Sequence, residues 1–368
     1  MKKTNQKGGA AIVAILIVII LVAVGSAALV VTGRNTIQES KETYLPQVTD
    51  SSEDISETDS SSITEESSVV TPTKDAGLLP AANYDTISIK GTAAAAILVD
   101  AETNEIVAGY KYDQKIYPAS LTKMLTLLVA CENIDDLEKT YTFTAEDIDP
   151  LIEDNASRAG FEAGETVTMS DLLYASILVS GADGTIGLAN SIAGSEKAFV
   201  ELMNTKAAEL GLEGTSFVNA SGLHSKKHYS TVEDLAAITK ACLDNKTAKK
   251  VLEKSVYTTT KTKQHEDGIQ LTSIVNSRFA GYYVDRDGDG EADSDVEIEG
   301  GKTGFTDEAL YTLATICTVD GHDYICVTAK SSDEFKSVED QIMIYEKYLP
   351  GSKVSDTTLS DDTSSAAE

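Results

Sequence analysis

The sequence predicts one α/β domain of the α+β kind, with an antiparallel sheet built from N- and C-terminal segments, packed by helices, and a helical subdomain beside it. Three observations lead to this. Runs of β-prone apolar residues open the folded region near Ala93 and close it after Val296, and helical periodicity fills the interval between them. Strands at both ends of a helical stretch bury their apolar faces most simply by pairing with each other.

In chain order, Ala93–Asp100 is expected as a strand, Ala101-Glu-Thr-Asn as a turn and Glu105–Tyr110 as the hairpin partner. Pro118 leads into a helix beginning near Ser120, with Leu121, Met124, Leu125 and Leu128 on one apolar face. Ser170, Ser195 and Ser230 are expected to cap helices over Asp171–Val179, Glu196–Leu210 and Val232–Leu243. Strands return at Val296–Lys302, Ala309–Val319 and Asp323–Lys330, and an amphipathic helix, Asp333–Tyr348, ends the domain. A two-residue turn at Asp320-Gly321 would set Cys317 opposite Tyr324 rather than Cys326. Cys131, Cys242, Cys317 and Cys326 are accordingly read as buried free thiols.

The flanks differ in kind. Lys2, Lys3 and Lys7 precede an uncharged apolar run long enough to span a bilayer. Residues 1–9 are therefore expected in the cytoplasm, 10–32 as a transmembrane signal anchor, and the rest outside, at the cell membrane. A cleaved signal peptide is the rival reading. Residues 33–84 and 350–368, rich in Ser, Thr, Asp and Glu, read as a disordered stalk and an acidic tail around a domain at 85–349. The net charge of −29 excludes nucleic acid as a partner, and it leaves any anionic substrate to a few local cations.

Three short motifs carry chemistry. Ser120 and Lys123 lie three apart at a helix start, on one face, where a neutral lysine can take the serine's proton. Ser180-Gly181-Ala182-Asp183 follows a helix, and the Ser180 hydroxyl there can relay a proton. Gly301-Lys302-Thr303-Gly304-Phe305 ends a strand, where glycines admit a ligand backbone and Lys302 and Thr303 can bind a carboxylate. Each alone also fits an ordinary structural explanation: a capping serine, a helix end with Gly181 as its cap, a glycine-rich turn.

Together, in this order, the three match the set known from β-lactamases and penicillin-binding proteins. Further stretches extend the likeness, among them Phe199-Val-Glu-Leu-Met-Asn, Ser221-Gly-Leu-His and Phe305-Thr-Asp-Glu-Ala. The chain resembles the D-alanyl-D-alanine carboxypeptidases of the low-molecular-mass penicillin-binding proteins over essentially all of residues 85–349. That resemblance implies a β-lactamase/DD-peptidase-like fold and a serine peptidase acting on peptidoglycan stem peptides, acylated by β-lactams, with no cofactor required. It implies Ser120 as nucleophile, Lys123 as general base and Ser180 as proton relay. Lys302, Thr303 and Gly304 would hold the substrate, and the N–H groups of Ser120 and Phe305 would form the oxyanion hole. Burial beside Lys302 would lower the pKa of Lys123.

One departure bears on rate. Ala182 stands where the family usually carries Asn, and the missing amide predicts a weakened enzyme. The rivals are a β-lactamase and a catalytically silent peptidoglycan-binding surface protein. Separately, Asp285, Asp287, Asp289 and Asp293 have the spacing of a calcium loop with Gly290 at its turn, but Val296 stands at the twelfth place. The alternative there is an acidic hairpin tip. No zinc motif is present, and His224 is expected in a loop bordering the cleft.

Overall fold

The structure, a computed structural model, describes residues 78–354 except Ile89. The expected cytoplasmic tail, membrane span, most of the stalk and residues 355–368 lie outside the described residues. Among the described residues no helix is long and apolar enough to cross a membrane.

The chain begins with β1 (Leu79–Thr86), β2 (Ala95–Asp100) and β3 (Glu105–Tyr110). A 3-10 turn, Ala119–Leu121, runs into α1 (Thr122–Asn133). Next come β4 (Thr140–Thr142), α2 (Ala145–Glu153) and β5 (Thr166–Thr168). Then α3 (Met169–Leu178), α4 (Ala182–Ala193), α5 (Glu196–Glu209), α6 (Val232–Asp244) and α7 (Lys246–Leu252) follow. After β6 (Val256–Thr258), β7 (Gln270–Thr272) and α8 (Ile274–Phe279), three long strands close the sheet. They are β8 (Val296–Thr306), β9 (Leu310–Val319) and β10 (His322–Ser331), and α9 (Glu334–Tyr348) follows them.

The main sheet has the order β1-β3-β2-β10-β9-β8, so N- and C-terminal segments meet at the β2–β10 pair. All its pairs are antiparallel except β1 with β3. Strand alternation gives the sheet two apolar faces. Ile97, Val99, Ala314, Ile316, Ile325 and Val327 face the helical core, which includes Met124, Leu172 and Phe199. Leu98, Leu313, Cys317 and Cys326 face the other way, against Val275, Phe279, Val338 and Tyr345 of α8 and α9. The sheet is thus the middle layer of three. Because β8 is an edge strand, its glycine-rich C-terminal half lies open to whatever loop comes beside it.

The Asp320-Gly321 turn forms with both residues at positive φ, and Tyr324 pairs with Cys317 as expected. All four cysteines are free.

Other expectations shift. The folded region starts at Leu79, inside the expected stalk, because β1 pairs in parallel with β3 from that residue on. The tail expected from residue 350 starts later: Pro350 and Lys353 are both held by Arg286. Thr168, not Ser170, caps α3, and Thr231, not Ser230, caps α6. In each case a hydroxyl of the same reach stands nearer the helix start. Strand β8 continues past Lys302 to Thr306. Gly181 is not a C-cap: it is the N-cap of α4 at φ −63°, and Ser180 takes the left-handed turn at φ 59°.

Candidate active site

Ser120 sits in the 3-10 turn rather than inside the helix, one residue after Ala119, which is held at φ 48°. Lys123 follows in the first turn of α1. Its Nζ donates to Ser120 Oγ at 3.0 Å and to the Ser221 carbonyl at 2.6 Å. The amine is 2% exposed. Burial pushes its pKa down to about 7, against the upward pull of Asp183 and Glu196. The expected burial is thus the largest cause of the shift.

The turn carrying Ser120 is clamped from two sides. The Thr122 hydroxyl donates to the Ala119 carbonyl at 2.8 Å and lies 2.7 Å from His228 Nε2. His228 Nδ1 accepts from the Val218 amide, so Nε2 carries the proton and donates to Thr122. Burial holds the imidazole pKa down to about 4, which keeps that tautomer neutral at ordinary pH. From the opposite side comes Gly222, whose backbone lies against Ala119.

Edge strand β8 approaches the same turn. A Cβ on Gly304 would lie 2.3 Å from Thr312 Oγ1 and 3.0 Å from the Ser120 amide nitrogen, so only glycine lets the strand come this near. The Thr312 hydroxyl, in turn, donates to the Pro118 carbonyl at 3.2 Å. Lys302 pairs with Ala314 and so belongs to the face toward the helical core. It is 1% exposed, and its Nζ donates to the Thr303 carbonyl at 2.7 Å. Burial drives its pKa well below the usual lysine range, and Lys123 and Arg278 push it further. Thr303 is also buried, whereas Phe305 is half exposed at the rim and packs on Tyr311.

Ser180 and Ala182 lie at the α3–α4 junction. Both are buried, and the Ala182 amide donates to the Ser157 carbonyl at 2.7 Å. The Asp183 carboxylate accepts from the amides of Ala159, Gly160, Phe161 and Gly184. It is thereby committed to holding the 159–161 loop, and its oxygens are not available for the contact that an Asn at 182 would make.

Sequence reasoning missed several contributors. The Ser221 carbonyl and the Ala220 amide act through backbone and leave no residue-type signal. Arg278 on α8 stacks 5.8 Å from the Tyr311 ring and donates from Nη2 to Glu334 at 3.3 Å. Its Nη1 is buried without a hydrogen-bond partner among the described residues. A buried guanidinium donor left over beside Lys302 adds positive potential at the Lys302–Thr303 end of the site. His224 stacks edge-on to Tyr117 at 4.7 Å and lies 3.7 Å from Glu308.

The acidic loop divides. Carboxylate oxygens of Asp285, Asp287 and Asp289 converge within 4.8 Å of one another. Asp293, the fourth expected ligand, is drawn to Arg286 instead, with Nε at 2.6 Å. Asp285 already accepts the amides of Gly288, Asp289 and Gly290. Half-buried Asp285 and exposed Asp287 and Asp289 would supply part of the six to eight oxygens calcium takes.

A family profile described as D-alanyl-D-alanine carboxypeptidase matches residues 82–332. The carboxypeptidase DacF of Bacillus subtilis is 30% identical over 227 residues, which is 60% of this chain and 53% of that protein. DacD of Escherichia coli is 28% identical over 257 residues, 67% of this chain and 60% of the relative. The chain thus spans little more than half the length of these curated relatives. The crystal structure of the Streptomyces K15 DD-transpeptidase superposes with a TM-score of 0.60 at 27% identity, covering 71% of this chain and 98% of that one. The fold is the DD-peptidase fold, and the chain belongs to the D-alanyl-D-alanine carboxypeptidase family.

Proposed function

We propose that the chain is a serine DD-peptidase that removes the terminal D-alanine from peptidoglycan stem peptides through an acyl-enzyme on Ser120. The observation that carries this reading is the buried Lys123 amine, 3.0 Å from Ser120 Oγ and poised near pH 7. In the proposed reaction Lys123 takes the hydroxyl proton as Ser120 Oγ bonds to the D-alanyl carbonyl carbon. The oxyanion meets the amides of Ser120 and Phe305. Ser180 relays a proton to the leaving nitrogen, the C–N bond breaks and D-alanine departs. Water then attacks the ester, giving up its proton to Lys123, and frees Ser120. Lys302 and Thr303, with Arg278 behind them, receive the terminal carboxylate. A β-lactam would acylate the same serine. The apolar segment 10–32 serves as anchor in this reading and places the domain outside the membrane.

The test is D-alanine release from a pentapeptide ending in D-Ala-D-Ala by the detergent-solubilised chain, with Ser120→Ala as control. Release by the wild type and none by the variant is the expected outcome. No release from a folded wild type would favour the silent peptidoglycan-binding reading, which rests on Ala182.

Ala182 opens α4 where the family usually has an amide, and Asp183 cannot stand in for it. One substrate hydrogen bond is worth about 1 to 3 kcal/mol when its absence leaves a buried group unpaired. Ala182→Asn is therefore expected to raise kcat/KM on the order of tenfold, measured by the same release assay. An unchanged value would show that another group already meets the substrate backbone.

A further inference from the structure

We propose that Glu196 is a positioning residue for the Ser120–Lys123 pair: its carboxylate holds the Ala220 amide and, through it, the Ser221 carbonyl on which Lys123 rests. This rests on the reading of Lys123 as general base. Glu196 Oε1 accepts from the Ala220 amide at 2.9 Å, across 24 residues of chain. The carbonyl of the same residue accepts from Thr126 Oγ1 at 2.7 Å. The Ala220 backbone is therefore gripped from both sides, by the first residue of α5 and by the next turn of α1 after Lys123. The next carbonyl along, Ser221, takes the Lys123 amine at 2.6 Å. Asn219 Oδ1 fixes the following amide, Gly222, at 2.7 Å.

The grip matters because the Ser221 carbonyl sets where the lysine can point. A buried amine three residues from Ser120 could adopt several rotamers, and only one places Nζ 3.0 Å from Oγ. Glu196 is suited to this post. It is partly buried and stands at the first position of α5. An ionised acceptor also makes the amide bond stronger than a neutral one would.

Charge adds a second effect that a purely structural brace would lack. Lys123 is faced by Asp183 from α4 and Glu196 from α5, both favouring its protonated form. Lys302 from β8 and His228 from the loop before α6 feel Lys123 in return, both disfavoured in their charged forms. Removing the Glu196 charge therefore makes Lys123 easier to deprotonate, and the acid limb of the rate moves to lower pH.

Two substitutions separate brace from charge. Glu196→Gln keeps a carbonyl acceptor for Ala220 and loses the charge; Glu196→Ala loses both. The acylation rate by a fluorescent penicillin is followed against pH in the full chain. For Glu196→Gln the acid limb should move down by on the order of half a pH unit, with the high-pH plateau kept within about twofold. For Glu196→Ala the limb should move likewise and the plateau should fall about tenfold or more, since a displaced base is costly. An unmoved limb in the Gln variant, or equal plateau losses in both, overturns the proposal. Titration of Lys123 observed at its ε-carbon by NMR needs no turnover and must shift the same way. A wild type that never acylates while that titration still shifts would sink the peptidase reading and leave the Glu196 coupling standing.

Discussion

Lys123→Met is expected to lower kcat/KM for D-alanine release by at least on the order of a hundredfold, and penicillin acylation with it, because a positioned general base contributes about 10²–10⁴-fold. Methionine keeps the unbranched stem and nearly the volume of the lysine, so the apolar packing of α1 survives while the amine disappears. The pH profile separates this from a packing defect. On the proposed reading the reactive form is the neutral amine, and burial brings the Lys123 pKa from 10.5 down to about 7. Activity of the wild type should therefore rise with pH through about 7 and level off above it. In Lys123→Met that limb should vanish with the group that causes it. A variant that acylates within a few-fold of wild type, or that keeps the same limb, would remove Lys123 from the mechanism.

The neighbouring lysine is coupled to this titration. Lys123 and Lys302 are both buried, and each is easier to deprotonate while the other is charged. Such a pair loses its protons in steps that belong to both amines together. On the proposed reading the substrate settles the assignment. A carboxylate beside Lys302 and Thr303 stabilises the ammonium on Lys302, and the proton lost near neutrality is then the one on Lys123. Binding of an anionic C-terminus would thus both orient the scissile bond and select the basic form of Lys123.

What could be read from the sequence, and what could not, follows from where the information sits. Ser120, Lys123, Ser180 and Lys302 are legible because on the proposed reading their side chains carry the chemistry, and their spacings survive in the linear chain. The structure brings Lys123 to Ser120, and Gly304 beside Ser120. The Asp320-Gly321 hairpin was legible because two left-handed residues are a local requirement. Caps at Thr168 and Thr231 were misplaced because Ser170 and Ser230 offer an equivalent hydroxyl one or two residues away. β1 escapes a sequence reading because its parallel pairing with β3 is non-local and no local pattern encodes it. Asp293 has the spacing of a fourth calcium ligand, while the fold supplies Arg286, a neighbour that spacing does not encode. The Ser221 carbonyl was invisible for a different reason: every residue has one.

Gly222→Ala is expected to cut acylation on the order of a hundredfold, although residue 222 carries no functional group. Its Cβ would lie 1.9 Å from the Ala119 carbonyl oxygen, 2.4 Å from the carbonyl carbon and 2.9 Å from the Ser120 amide nitrogen. All three are backbone atoms and cannot swing aside as a side-chain tip would. The residue is also at φ +89°, a conformation alanine adopts only with strain. Relief must come from moving the Ala119–Ser120 turn or the 219–222 loop. Either movement separates Ser120 Oγ from Lys123 Nζ, since the turn carries the first and the Ser221 carbonyl places the second. The melting temperature should fall as well, by an amount reflecting about 2 to 4 kcal/mol of lost stability. Gly211→Ala is the matched control: φ is +71° there, yet nothing lies within 4 Å of the added methyl. It should cost only about 1 kcal/mol of backbone strain and leave the acylation rate alone. If Gly222→Ala acylated as the control does, the close approach of the two loops would be incidental, and the placement of Ser120 would have to come from α1 and β8 alone.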